Sequence, residues 1–529
     1  MSTDHGYDAR NGRSELWSFR EDVEVEFAPG DGAVRLLSPW GEVTIERPSP
    51  SVREALHRMR LGPVLLGNVI VPRAAAEAGD DNEDFRQWVR LYSVLERLQP
   101  FIIRTVGFKS GMPLLSVVPL TPQSRFRPMP LPRDTQVRLS TFAELRTDGR
   151  EFRLESPLAL HRVVLHQPEA VGLIGSLGRP VTVAESASAW PALEPVAADV
   201  LAYLAAVGMV VPADGGGARE DVPPVFAEDA ELAGWSSLDL MFHTRSTVGR
   251  HDNPLGATYP LGREGSPEPV VMPRRAEPAI PLHRPRWEDL SATDPPLAVA
   301  MEGRRSTRRY GTDPVTAEEL GDLLYRTARV RALITPPDAG SAPAWPATTD
   351  PRISDRPYPG GGACYELELY VTVGQCAGIP PGIYHYDPLD HRLEPVNADR
   401  TMTAALLAEA SRMAELDEQA PLLITITARF RRISWKYEGI AYATVLKDVG
   451  ALFQSLYLVC TAMRLAPCAL GCVHVQATAS AFGTDWRLEP SVGQFVIGRA
   501  PEALPKYAWQ WQPVNDAGWF DQARDRLTS

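Results

Sequence analysis

No stretch of about 18 consecutive apolar residues occurs in the chain, so nothing in it reads as a membrane span. The opening residues, MSTDHGYDARNGRSE, lack the apolar core of a secretion signal. Cysteine is scarce: five in 529 residues, all in the C-terminal half and none in a CxxC pair. The odd count and the missing signal point to reduced thiols in a cytoplasmic protein. Cys468 and Cys472 have no second pair nearby, so no metal site is expected. An excess of positive charge is missing too. The 54 basic and 66 acidic residues leave a net charge of −12, which argues against a nucleic-acid-binding function. What is present is an ordinary soluble composition, 44% apolar and 23% charged. The chain is too long for one core, and two to four domains are expected.

A polar, proline-rich segment from Gly249 to Asp289 has neither helical nor strand period and reads as an extended linker. A second breaker stretch, Thr335 to Pro351, reads equally as a lid or as a surface insertion. Upstream of the linker the chain looks duplicated. Asp31-Gly32 and Asp148-Gly149, Ser38-Pro39 and Ser156-Pro157, and Pro63-Val64 and Pro180-Val181 recur at nearly one offset, 117 or 118 residues. Between these anchors lie strand-like runs and helical runs at Ser51 to Arg60 and Pro168 to Ser176. Further helices are predicted at Asp84 to Leu98 and Val196 to Val207. Paired strands with short helices point to two small α+β modules of winged-helix type, a build whose exposed strand edge can accept a peptide.

Downstream of the linker, Arg304, Arg305, Arg308 and Arg309 surround Ser306. Guanidiniums with a hydroxyl are what a phosphate monoester needs, although a solvated basic turn has the same composition. Thr316-x-x-Glu319 is a capping box that opens a helix. Gly360-Gly361-Gly362 leaves backbone N–H groups able to approach a ligand, and a strand, Glu366 to Val373, follows. His385, in a second strand-like run, reads as structural. The β-branched run Pro421 to Arg429 leads to Lys436-Tyr437, and an apolar helix is predicted from Ile440 to Arg464. Adjacent lysine and tyrosine are ordinarily surface residues, but at a strand-to-helix junction both can reach a pocket and act in proton transfer. Ala469 to Cys472 and a final strand ending on Arg499 complete the set.

In this order the words RRSTRRYG, RPYPGGGACYELELYV, PGIYHYDP, WKYEGIAYATVLKDVGALFQSLYL, CALG and EPSVGQFVIGRA resemble the flavin-dependent nitroreductase superfamily. Within it the chain is similar to the SagB-type peptide dehydrogenases, the azoline oxidases of thiazole/oxazole-modified peptide biosynthesis. Trp235 to Ser246 is similar to the segment preceding the flavin domain in those proteins. The resemblance implies an α+β fold. A C-terminal nitroreductase-like domain, a mixed sheet flanked by helices, would cover 291–529. Winged-helix-like modules would cover 15–125 and 135–215, joined by a connecting segment over 216–290. It implies FMN as cofactor, with Arg304, Arg305, Ser306 and Arg308 on its phosphate and ribityl chain and Arg499 as a further phosphate ligand. Pro359, Gly360, Gly361 and Gly362 would reach flavin across a homodimer, and Leu470 and Gly471 would lie against the ring. The family has serine after the loop proline where this chain has Gly360, so the side-chain hydrogen bond of that serine has no counterpart here while the backbone contact is kept.

The resemblance also implies a reaction: oxidation of a thiazoline or oxazoline in a ribosomally made precursor peptide, with a cyclodehydratase as possible partner. Removing a proton and a hydride from neighbouring ring carbons needs a base and a hydride acceptor. Lys436 is the expected base and Tyr437 the proton relay or orienter. A lysine with a reference pKa of ~10.4 becomes a base only when desolvated or set beside another cation. The competing readings are a nicotinamide-dependent flavin nitroreductase and a non-catalytic peptide-binding scaffold.

Overall fold

The computed structural model describes residues 13–30, 32–69, 81–213, 230–262, 267–274, 278–335, 352–501 and 518–528. The breaker stretch 336–351 lies outside them. The chain divides into two compact units, Met1–Asn253 and Pro254–Ser529. The division falls inside the expected linker. Residues beyond it already belong to the second unit, where Ile280–Pro281 pairs with the strand Arg392–Asn397.

In the first unit the duplication reappears as strand pairing. Arg13–Phe19 lies antiparallel between Val64–Leu65 and Ile102–Phe108. In the second copy Gln136–Leu139 lies in the same way between Val181–Thr182 and Val210–Pro212. The helices Pro50–Leu61 and Pro168–Ser176 occupy equivalent places. The copies are not the separate modules expected at 15–125 and 135–215. His161–Leu165 pairs with Pro113–Pro119, so one seven-stranded sheet runs through both. The hairpin Ile102–Phe108/Pro113–Pro119 offers an open edge, and an unpaired edge recruits a strand. Val106, Leu115 and Val117 of the first copy then share a core with Leu154, Val163 and Leu173 of the second.

The second unit is built on a seven-stranded sheet. Its order is Ile280–Pro281, Arg392–Asn397, Gly382–Asp387, Leu367–Val373, Leu422–Ala428, Ser491–Arg499 and Leu465–Leu470. Every pair in it is antiparallel. This corrects the expected mixed sheet: among the described residues parallel pairing occurs only in the separate ribbon Val315–Thr316/Cys376–Ala377. All residues of the two central strands are buried, which is why they read as continuous β-branched runs. Alternate residues serve opposite faces. Leu369, Val371, Ile424, Ile426 and Phe495 pack with the long helix Ala441–Ala462, whereas Tyr370, Leu423 and Val496 pack with Arg400–Met413 and Val475–Phe482. The long helix is apolar enough to cross a membrane by length and composition, but Val445, Leu452, Leu456 and Cys460 lie within the protein core.

Candidate functional site

The strand Leu422–Ala428 ends in a single helical turn, Phe430–Ser434, before the long helix starts at Ala441. Lys436 and Tyr437 lie in the gap between them, against the glycine loop. Lys436 Nζ donates to the Gly362 carbonyl at 3.0 Å and lies 5.4 Å from the Tyr437 ring centre. Gly362 has φ +56°, and a Cβ there would overlap the Tyr437 hydroxyl and come within 2.7 Å of Lys436 Nζ. Glycine is therefore required here by close approach as well as by conformation. Ala363 and Tyr365 also have positive φ, a local strain of the kind found where a site is held in one shape. A Cβ on Gly360 would stand 3.0 Å from the Tyr365 ring.

On its other side the loop meets the long helix. A Cβ on Gly361 would overlap the Thr444 methyl group, and the Gly361 N–H donates to Asp448 Oδ2 at 2.8 Å. Burial, together with Cys364, Tyr259 and Asp448 nearby, raises the Tyr437 phenol above its ordinary value, so it keeps its proton at neutral pH.

The arginine cluster lies on an extended segment after the helix Leu297–Gly303. The Thr307 N–H donates to the Pro467 carbonyl, and the Gly311 N–H to the Arg499 carbonyl, so the segment is stitched to the sheet edge. Ser306 Oγ lies 2.6 Å from the Tyr457 hydroxyl, which also accepts the Ala469 N–H at 2.9 Å. Arg304 stands over the Tyr457 ring at 5.1 Å. Arg305 points elsewhere, into a cavity of about 400 Å³ with Arg464, Arg499 and Arg524. Among the described residues Arg304, Arg305 and Arg308 have no hydrogen-bonded acceptor and no acidic partner, whereas Arg309 faces Asp417 at 3.4 Å. Three guanidiniums without an acidic partner, on one segment with a hydroxyl, fit a phosphate monoester, the anionic end of FMN.

Two expected ligands are placed otherwise. Both terminal guanidinium nitrogens of Arg499 donate to Glu319 at 2.6 Å, and one also to the Pro314 carbonyl. Leu470 is buried with Phe482 and Tyr370, so only the backbone and Gly471, whose Cβ direction is open, remain for a ring. His385 is structural, as expected: it is buried between Glu368 at 3.0 Å and Glu394 at 3.6 Å.

The structure thus brings Lys436, Tyr437 and Pro359–Gly362 together at one end of the long helix and Arg304, Ser306 and Tyr457 at the other. Thr444 and Tyr457 are roughly 20 Å apart along its axis. Tyr457, Asp448 and Glu366 escaped the sequence reading. Asp448 left one signal, a lone carboxylate on the apolar stripe of Val445, Val449 and Leu452.

Residues 301–499 match the nitroreductase family, and residues 137–252 match the cyanobactin oxidase ThcOx. The expected upstream similarity at Trp235 to Ser246 falls inside the second match. The chain is 28% identical over 171 residues to protein MJ1384 of Methanocaldococcus jannaschii, named for the nitroreductases, covering 32% of this chain and 76% of that one. It is 30% identical over 145 residues to the trifolitoxin-processing protein TfxB of Rhizobium leguminosarum bv. trifolii, covering 27% of this chain and 39% of TfxB. It is 29% identical over 119 residues to the microcin B17-processing protein McbC of Escherichia coli, covering 21% and 43%. The match therefore spans less than half the length of either processing protein. Residues 301–499 therefore form a domain that matches the nitroreductase family, and the segment upstream of it, 137–252, is similar to the cyanobactin oxidase.

Proposed function

We propose that the protein oxidises thiazoline or oxazoline rings in a ribosomally made precursor peptide to the aromatic azoles, with FMN as the hydride acceptor. The observation that carries this reading is the convergence of Lys436 Nζ and the Tyr437 hydroxyl on Gly362. A nitroreductase acting on an external nitro compound has no need of such a pair. The two peptide-processing relatives and the cyanobactin-oxidase segment support a peptide substrate.

Arg304, Ser306 and Arg308 would hold the FMN phosphate, with Arg305 closing the group from the adjoining cavity. Bound flavin supplies the hydride acceptor, since no side chain can take up two electrons. Lys436 is assigned the ring proton. Its contact with the Gly362 carbonyl fixes where its nitrogen stands. Tyr437, protonated at neutral pH, orients the ring heteroatom or passes the proton outward. The two clusters lie at opposite ends of one helix. A homodimer in which one subunit's glycine loop meets the flavin held by the other is therefore part of the proposal, as is a cyclodehydratase that supplies the azoline.

The test is Lys436→Ala, assayed on an azoline peptide with oxygen and without nicotinamide. The expected result is loss of turnover with the yellow flavin retained. Full activity in the folded, flavin-loaded variant overturns the base assignment. Turnover by the native protein of nitroaromatics with NAD(P)H, but not of azoline peptide, replaces the reading with that of a nitroreductase.

A further inference from the structure

Beneath the glycine loop lie two carboxyl groups that the proposed reaction does not use. Glu366 is fully buried, and neither side-chain oxygen has a donor in good hydrogen-bond geometry. The carboxyl group beside it is that of Asp448, itself 6% exposed, whose Oδ2 already accepts the Gly361 N–H. Two carboxylates have no donor between them, so a hydrogen bond between carboxyl groups requires a shared proton.

We propose that Glu366 and Asp448 share one proton and together form a clasp on the glycine loop. Glu366 donates to Asp448, Asp448 accepts the Gly361 N–H, and the adjoining Gly362 is thereby held against Lys436 and Tyr437. Both carboxyl groups are positioning residues, since neither touches the reacting atoms.

The surroundings favour the protonated pair. Burial pushes Glu366 up to about 7, and the Asp448 carboxyl adds to this; the residue's own backbone N–H and Arg432 pull the other way. Burial likewise raises Asp448, against the pull of the Gly361 N–H, Glu366 and Lys447. Arg432 is largely occupied elsewhere, donating to the Cys364 and Glu268 carbonyls. Arg429 and Arg356 are drawn to Glu368, two residues along the strand. Cys364 is pushed up to about 11 by burial, and the Tyr358 phenol is raised by burial too, so both stay neutral. Lys436 and Tyr437 face the loop from its far side. As pH rises the shared proton leaves, the two anions repel, and the grip on Gly361 loosens.

The clasp does not rest on the oxidase reading; only its effect on turnover does. The closing experiments separate the two. Infrared difference spectra of the full-length protein should show a protonated-carboxyl band at about pH 6 that is lost by about pH 9. A native protein without that band overturns the clasp. Urea midpoints should fall between about pH 5 and pH 8 in the native protein, and Glu366→Gln, which donates to Asp448 without a titrating proton, should flatten that fall. Equal slopes in the two proteins overturn the clasp. With azoline peptide, Asp448→Ala should lower kcat about 10–100-fold with KM little changed, and Glu366→Gln should remove the alkaline decline in kcat. A proton-sharing pair whose loss leaves kcat untouched would separate the clasp from the reaction.

Discussion

At the scale of single residues, the site depends on atoms that glycine leaves out. Gly362→Ala would place a methyl group on the Tyr437 hydroxyl and would put alanine at φ +56°. The loop must shift by about an ångström, and displacement of that size costs about 100-fold in rate. The variant should stay folded, keep its flavin and lose about two orders of magnitude in kcat, measured on the loaded enzyme. The Lys436-Tyr437 pair and the glycine run are ordinary words on their own, and only their order among the neighbouring words singled them out in the sequence. Their contact was not, since it joins positions 74 apart through a loop with positive-φ residues. Arg499 shows the opposite case. Its place at a strand end was legible, but the acid that occupies it, Glu319, was visible only as half of a capping box.

Between elements, polar groups do the joining. The Tyr457 hydroxyl ties the arginine segment, through Ser306, to the strand Leu465–Leu470, through the Ala469 N–H. Tyr457→Phe removes both contacts while keeping the packing, at about 1–2 kcal/mol in a chemical-denaturation curve, and should weaken flavin retention. The central strand carries a second buried network. Although burial pushes Glu368 up, Arg429, His385 and Arg356 hold it down to about 2. Its contribution is therefore present above its ordinary value of 4.5 and lost as pH falls from there toward 2. Glu366, one turn of the pleat earlier, has the opposite sign: its contribution is present below 4.5 and lost as pH rises through about 7. Arg429→Met leaves Glu368 buried without its main cation and should cost about 3–5 kcal/mol, read from urea midpoints at neutral pH. The strands and the long helix were legible from period and β-branching. The antiparallel order was not, because pairing depends on which edges are free rather than on any local word.

For the whole chain, duplication and independent cores set what is expected of stability. The repeated anchors in the sequence were real signals of repeated pairing, but they did not reveal that the second copy completes the sheet of the first. The merger depends on the edge offered by Pro113–Pro119. The division at Asn253/Pro254 separates two units with their own apolar clusters, the second holding every expected flavin ligand. Calorimetry of the full chain should accordingly resolve two transitions, of which flavin moves only one. At a free FMN concentration of about 100 times Kd, binding adds about 2.7 kcal/mol. For a unit of this size that raises Tm by about 5–10 °C. The transition of the first unit should stay in place. Arg304→Ala with Arg308→Ala removes two of the three guanidiniums that lack an acidic partner and should abolish the shift while leaving both transitions of the flavin-free protein where they were. A flavin-induced shift that survives this double substitution would place the phosphate elsewhere, with the Arg305, Arg464 and Arg524 cavity the next place to look.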